Sequence, residues 1–337
     1  MKVFQSCAFA LLTATFMSTP VVAGTAVKSN PTNITIQPVQ QVQGEPQVWL
    51  HAGVESWSGD NTYQIGYPVT DALGNVYEGY FPFSELKFPL DAVFGVIKLN
   101  AVIKDKFVFD VVFKKNISDT DDYMEDRDWI TDSDPGRLDI YSDSEVTRFD
   151  GLVLDVDLGY KVFSGEKGWL AAGAGYMYQD FEYETSLIRQ WSPSGLEGFD
   201  YVGDGGISLA YEVNYKIPYL LLSGQLELTP KFMVNGRFAY APWVESVEDR
   251  DQHLLRYKEN RGKLDGTALM ASVDAMYNFT SQWFMTAGVS HTSIDVDGEQ
   301  GATFFGYYDH MVTEEIESKQ TAVFLTAGYR FGPFADQ

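Results

Sequence analysis

Cysteine is nearly missing from this chain: the single one, Cys7, lies close to the start, so neither a disulfide framework nor a thiolate nucleophile serves the rest. Positive charge is scarce too, with 24 Lys and Arg against 47 Asp and Glu for a formal net charge of −23. That balance argues against nucleic acid and against tight binding to anionic surfaces, because both need basic patches. Histidine occurs four times, at His51, His253, His291 and His310. No two of them are spaced as a metal-binding His-x-x-x-His pair, no EF-hand spacing occurs among the acids, and Ser194-Gly195 lacks a nucleophile elbow. Gly203-Asp204-Gly205-Gly206 reads as loop glycine and not as a phosphate cradle, so neither a cofactor nor a metal is called for. Helical periodicity is absent throughout.

What is present begins with residues 1–23, which read as a secretory signal peptide: Lys2, an apolar core from Val3 to Met17, and the small-residue cleavage site Val21-Val22-Ala23. Cys7 leaves with it. Residues 24–45, rich in Thr, Gln, Val and Pro, read as a flexible lead, and residues 46–337 as one domain. Beyond the signal no run of about 18 apolar residues exists, which excludes a spanning helix. An aromatic content of 15%, set in Gly-rich alternating segments, fits a transmembrane β-barrel, where an apolar lipid face alternates with a polar lumen.

Period-two patterning predicts strands near 47–58, 77–103, 106–117, 145–163, 168–185, 207–228, 231–247, 266–279, 282–297 and 317–331. Short turn-like connections alternate with long polar ones near 59–76, 118–144, 186–206, 248–265 and 298–316. The fold class expected is therefore all-β, an antiparallel transmembrane barrel of about ten long strands. Its short turns lie on the periplasmic side and its long loops outside. Several strands exceed the roughly 9–11 residues that cross a bilayer and should project beyond it. The acidity has two readings, solubility of external loops or a cleft that concentrates cationic substrates.

Two motifs carry candidate chemistry. Asp251-Gln252-His253 ends a strand pattern that starts near Trp243, and in an extended backbone Asp251 and His253 share a face, where the carboxylate can orient the imidazole. Asp126-Arg127-Asp128 forms a second same-face pair just before Trp129. Facing one another across a cleft, the two pairs would hold and activate a water molecule. The plainer reading of Asp126 and Asp128 is a solvated or calcium-binding acidic loop, since Asp119, Asp121, Asp122, Glu125, Asp132, Asp134 and Asp139 surround them.

Read with their flanks, Asp126-Arg127-Asp128-Trp129, Asp134-Pro135-Gly136, Tyr215-Lys216-Ile217-Pro218-Tyr219 and Trp243 to His253 resemble the omptin family of outer-membrane proteases, in the same order over most of the mature chain. The resemblance implies an endopeptidase of the bacterial outer membrane acting on peptides or proteins. In it His253 is the general base toward water, Asp251 its orienting carboxylate, and Asp126 with Asp128 the facing couple. Asp249 matches a family acid that reads a basic residue before the scissile bond, whereas the second such acid falls near Tyr63 or Gln64. The family's basic contacts to lipopolysaccharide phosphates are not reproduced around Tyr178, Asp180 and Asn214, which leaves lipid activation open. The alternatives are an inactive barrel of the same shape serving as a porin or structural surface protein, and an adhesin using the long loops.

Overall fold

A computed structural model describes residues 46–331, with the side chains of residues 248–253 and 255 outside that description. The signal peptide and the flexible lead expected over residues 1–45 lie outside the described residues. Fourteen strands form one antiparallel sheet: β1 (Gln47–Asp71), β2 (Val76–Tyr77), β3 (Ser84–Pro89), β4 (Val93–Ile103), β5 (Phe107–Asn116), β6 (Tyr123–Asp128), β7 (Ile140–Gly165), β8 (Gly168–Trp191), β9 (Tyr201–Val202), β10 (Leu209–Thr229), β11 (Phe232–His253), β12 (Lys258–Asn278), β13 (Trp283–Phe304) and β14 (Tyr307–Phe331). A single 3-10 turn, Leu254–Arg256, joins β11 to β12.

The sheet closes on itself, because β1 pairs with β14 on one side and β4 on the other, and β7 pairs with β5 and β8. β4 and β5 reach only the half of the ring that carries the short turns. In the other half β3 and β6 take their places, pairing with β1, with each other and with β7. The ring therefore keeps about ten strands at both levels. Gly59 marks the handover, since β1 pairs with β4 up to Ser56 and with β3 from Asp60. Its φ of 144° lies in the region that disfavours side chains, and a Cβ there would sit 1.8 Å from the Lys319 carbonyl oxygen.

Residue alternation sets what each face meets. Along β14 the inward positions Val312, Glu314, Ile316, Ser318, Gln320 and Ala322 are buried, and the outward ones change from Glu315, Glu317 and Lys319 to Val323 and Leu325 toward the turn end. The same outward change places Leu154 and Leu158, Leu220 and Leu222, and Ile97 in an exposed apolar belt around the turn-end half. Left in water, each such side chain would forgo about 1.5–3 kcal/mol, which a hydrocarbon layer returns. Phe107, Tyr160, Tyr277 and Trp283 are exposed next to the short turns, and within the belt Phe238 stands opposite Leu222 and Tyr240 opposite Leu220.

The lumen is filled. In the turn-end half Arg237 bridges Asp155 and Asp157, each at 3.1 Å, and Tyr219 donates to Asp155 at 2.5 Å. Gln179 and Gln320 exchange amide hydrogen bonds of 3.0 and 2.8 Å across the barrel. Above them lies an aromatic floor of Trp57, Tyr63, Phe88, Phe94, Phe149, Phe181, Tyr183 and Tyr211. Its rings pack across the lumen: Phe88 of β3 stacks on Tyr211 of β10 at 4.3 Å, four strands away around the wall, and Tyr63 of β1 stacks on the same ring at 5.9 Å. An aqueous channel would leave such side chains accessible, yet Phe88 is 0% and Tyr211 1% exposed.

Several boundaries differ from the sequence expectation: β1 runs on through the expected connection to Asp71, and the expected connection 118–144 holds β6 and the start of β7. The segment 77–103 is three strands and not one, and 248–265 and 298–316 are largely strand instead of long loop. Their acidic and Gly-rich composition reads as loop, but a strand that projects beyond the bilayer meets water on its outer face and tolerates it. β13 and β14 turn through Phe305 and Gly306, both with positive φ, so no Asn-Gly or Asp-Gly pair signals this tight hairpin.

Candidate active site

Asp126 and Asp128 lie on β6, the short strand that completes the wall in the loop-end half. In the ladder Asp126 stands opposite Leu86 of β3 and Ser142 of β7, and Asp128 opposite Ser84 and Ile140. Leu86 and Ser84 are buried, and the alternation puts Met124 on the same inner face, whereas Glu125 and Arg127 occupy the other. That outer face is tied down by Arg127, whose guanidinium holds Glu85 at 2.8 Å and also pairs with Glu125. Ser142 donates to the Asp126 carboxylate at 3.4 Å. Sequence reasoning places the pair in a loop; the structure makes it a paired strand, because β3 supplies the edge it needs.

The connection from β6 to β7 is clamped by Asp139. Its amide donates to the Asp128 carbonyl at 2.9 Å, and its carboxylate accepts from the Ile130 amide at 3.1 Å, Arg137 Nε at 2.9 Å and Ser194 Oγ at 2.8 Å. Burial by itself disfavours the charged form, but the bonds from Ser194, Thr131, Arg137 and Ile130 outweigh it and hold the carboxyl at about 2. Asp134-Pro135-Gly136 forms the turn inside this connection, with the Arg137 amide on the Asp134 carbonyl at 3.0 Å. The clamp links this connection to the one after β8, which carries Ser194.

Asp251 and His253 end β11. Asp251 stands opposite Tyr211 of β10 and Asn260 of β12, and His253 opposite Leu209 and Lys258. Tyr211, Leu209 and Asn260 are all buried. Asp249 has no partner in either ladder, because the register shifts past it on both sides. Bulges of this kind re-aim side chains. The side chains of Asp249, Asp251 and His253 lie outside the described residues. The backbone places β6 and the far end of β11 at the same end of the barrel, the end away from the short turns.

A cavity of about 380 Å³ opens at that end. Its lining includes Met124 and Asp126 from β6, Ser142 and Ser144 from β7, Ser208 and Leu209 from the start of β10, and Arg256 from the 3-10 turn. Leu209 is the residue opposite His253, and the Leu254 amide bonds the Ser208 carbonyl at 3.0 Å, so one wall of the cavity is the immediate surround of the Asp-x-His segment. Ser142, Asp139 and Arg256 carry no motif of their own: the β6–β7 hairpin brings the first two beside Asp126 and Asp128, and the 3-10 turn after His253 carries the third.

The other positions singled out from sequence behave differently. Tyr63 is a core ring packed on Tyr211, and Gln64 donates to Glu85 at 2.6 Å, so neither places an acid in the cavity. Tyr178, Asp180 and Asn214 lie on a wall where Asp180 pairs with Asn214 and Tyr178 with Lys216. Asp180, Glu182 and Glu212 bring carboxylate oxygens within 4.8 Å of one another, a donor set that suits a hard cation; Asp180 stands opposite Leu152 of β7, further along that strand than Ser142, the partner of Asp126.

The sequence matches a family model described as the omptin family over residues 76–322. Among solved structures, the outer membrane protease OmpT from Escherichia coli superimposes with a TM-score of 0.68 at 18% identity, covering 85% of this chain and 97% of that one. The outer membrane protein OprG from Pseudomonas aeruginosa aligns with a TM-score of 0.40 at 11% identity, over 87% of this chain and all of that one. No curated protein sequence matches.

Proposed function

This chain belongs to the omptin family of outer-membrane barrels, and from that premise we propose that it is an endopeptidase whose site faces the cell exterior. The carrying observation is the cavity at the loop end, with Asp126 in its lining together with Leu209, the residue across the ladder from His253. In this reading a peptide lies between β6 and the end of β11. His253 takes a proton from water as the oxygen attacks the scissile carbonyl, and Asp251 stabilises the imidazolium that forms. The imidazolium then returns the proton to the departing amine. Asp126 and Asp128 hold the water. Asp249, set in the bulge two residues before Asp251, supplies negative charge toward a Lys or Arg before the scissile bond.

The test is cleavage of fluorogenic peptides by protein purified in detergent with added outer-membrane lipid. His253→Ala and Asp126→Ala should each lower turnover about 10²–10⁴-fold while the barrel stays folded. Wild-type turnover in both variants would reject the mechanism. The filled lumen disfavours a porin, and ion conductance without cleavage would restore that reading.

A further inference from the structure

Among the described residues that line the cavity, two are charged: Asp126 and Arg256. Arg256 closes the 3-10 turn that directly follows His253, so it lies three positions beyond the general base of the proposed reaction. It is exposed at the cavity and makes no ion pair with any described residue. Arg127, Arg137, Arg148, Arg189, Arg237 and Arg261 each hold a carboxylate within 4.0 Å, as expected where acids outnumber bases two to one, and Arg330 instead bonds the Ser281 carbonyl and Asn278 Oδ1. Apart from Asp126, the polar lining of the cavity that Arg256 shares is hydroxyl and amide: Ser142, Ser144, Ser208, Gln190 and Tyr201. A guanidinium in such a setting is a receptor for a carboxylate, which it can grip through two parallel N–H bonds.

We propose that Arg256 is a specificity-determining residue that receives an acidic side chain, Asp or Glu, of the bound peptide. The inference rests on the peptidase reading and names its substrate class. Arg256 and Asp126 line one cavity, so an extended peptide threading it, which advances about 3.3 Å per residue, presents its side chains to the guanidinium close to the bond to be cut. The preferred substrate is then mixed in charge, with an acidic residue near the bond in addition to any basic residue that Asp249 reads. This also gives the acidic protein a way to reject uniformly cationic peptides, since a Lys or Arg at that subsite would face a like charge.

The test has two arms. Binding is measured by fluorescence anisotropy in the His253→Ala background with matched peptides that carry Glu, Gln or Lys at each of the two positions on either side of the bond. At one position Glu should bind on the order of tenfold tighter than Gln. Adding Arg256→Glu should reverse the order so that Lys binds best, and Arg256→Gln should remove the preference. Cleavage of the same peptides by the protein with His253 intact should follow the same ranking. Acid-selective binding that Arg256→Glu reverses, without cleavage of any peptide, upholds the anion subsite and sinks the peptidase reading. Equal binding or cleavage of Glu, Gln and Lys peptides, or a Glu preference that survives Arg256→Glu, overturns the assignment. Because Arg256 is exposed, all three proteins should share one thermal transition.

Discussion

Phe88 offers a direct test of how the fold sets the site. It belongs to β3, two residues from Leu86, the ladder partner of Asp126, and its ring stacks on Tyr211, the ladder partner of Asp251. One ring contact thus spans the lumen between the two walls that carry the candidate residues. Phe88→Ala removes a fully buried ring together with its stacking on Tyr211 at 4.3 Å and its tilted contact with Tyr183 at 5.1 Å. A Phe→Ala change in a core costs about 3–5 kcal/mol, within which each aromatic pair accounts for about 0.5–1.5 kcal/mol. The hydrogen-bonded ring of strands should survive that loss, so the variant should still show the heat-modifiable mobility of a folded barrel. Its denaturant midpoint should fall by the corresponding amount. The walls would then relax by something like an ångström, a displacement that costs about 10²-fold in rate. Phe88→Leu keeps most of the volume and should recover most of both losses. The reasoning is refuted if Phe88→Ala loses the expected stability yet cleaves peptides at the wild-type rate, because the floor would then support the barrel without spacing the site.

Two further outcomes follow from the wall itself. The Asp139 carboxyl titrates at about 2, below its ordinary 3.8, so its clamp contributes stability that is whole above pH 4 and is lost as pH falls through 2. Limited proteolysis by pepsin should cut near residues 129–139 at pH 2 and spare them at pH 4.5, and Asp139→Asn should be cut at both; equal protection at the two pH values in the wild type would count against the clamp. Gly59→Ala should prevent refolding into detergent, since its Cβ meets the Lys319 carbonyl oxygen at 1.8 Å in a backbone with φ of 144°, and an unchanged folded yield would show that β1 does not need this handover.

Much of the architecture is written in local pattern. Alternation in segments such as Tyr307–Phe331 states that one face is buried and the other is not, and the change from Glu317 and Lys319 to Val323 and Leu325 states where lipid ends, because each depends on side chains two positions apart. Asp126, Asp128, Asp251 and His253 were legible as spaced pairs for the same reason. The tight turn at Phe305 and Gly306 was not, since only Gly306 is a usual turn residue and Phe305 is held at positive φ by the two long strands it joins. Nor was β6, which exists as a strand because β3 and β7 flank it in the ring. Only closure of the sheet brings Phe88 against Tyr211 and places Asp126, Ser208 and Arg256 around one cavity, residues far apart in the chain with no periodic relation. Spacing along a strand is a local property of the backbone; adjacency across a lumen depends on how many strands close and in what register, and that is decided by the whole ring at once.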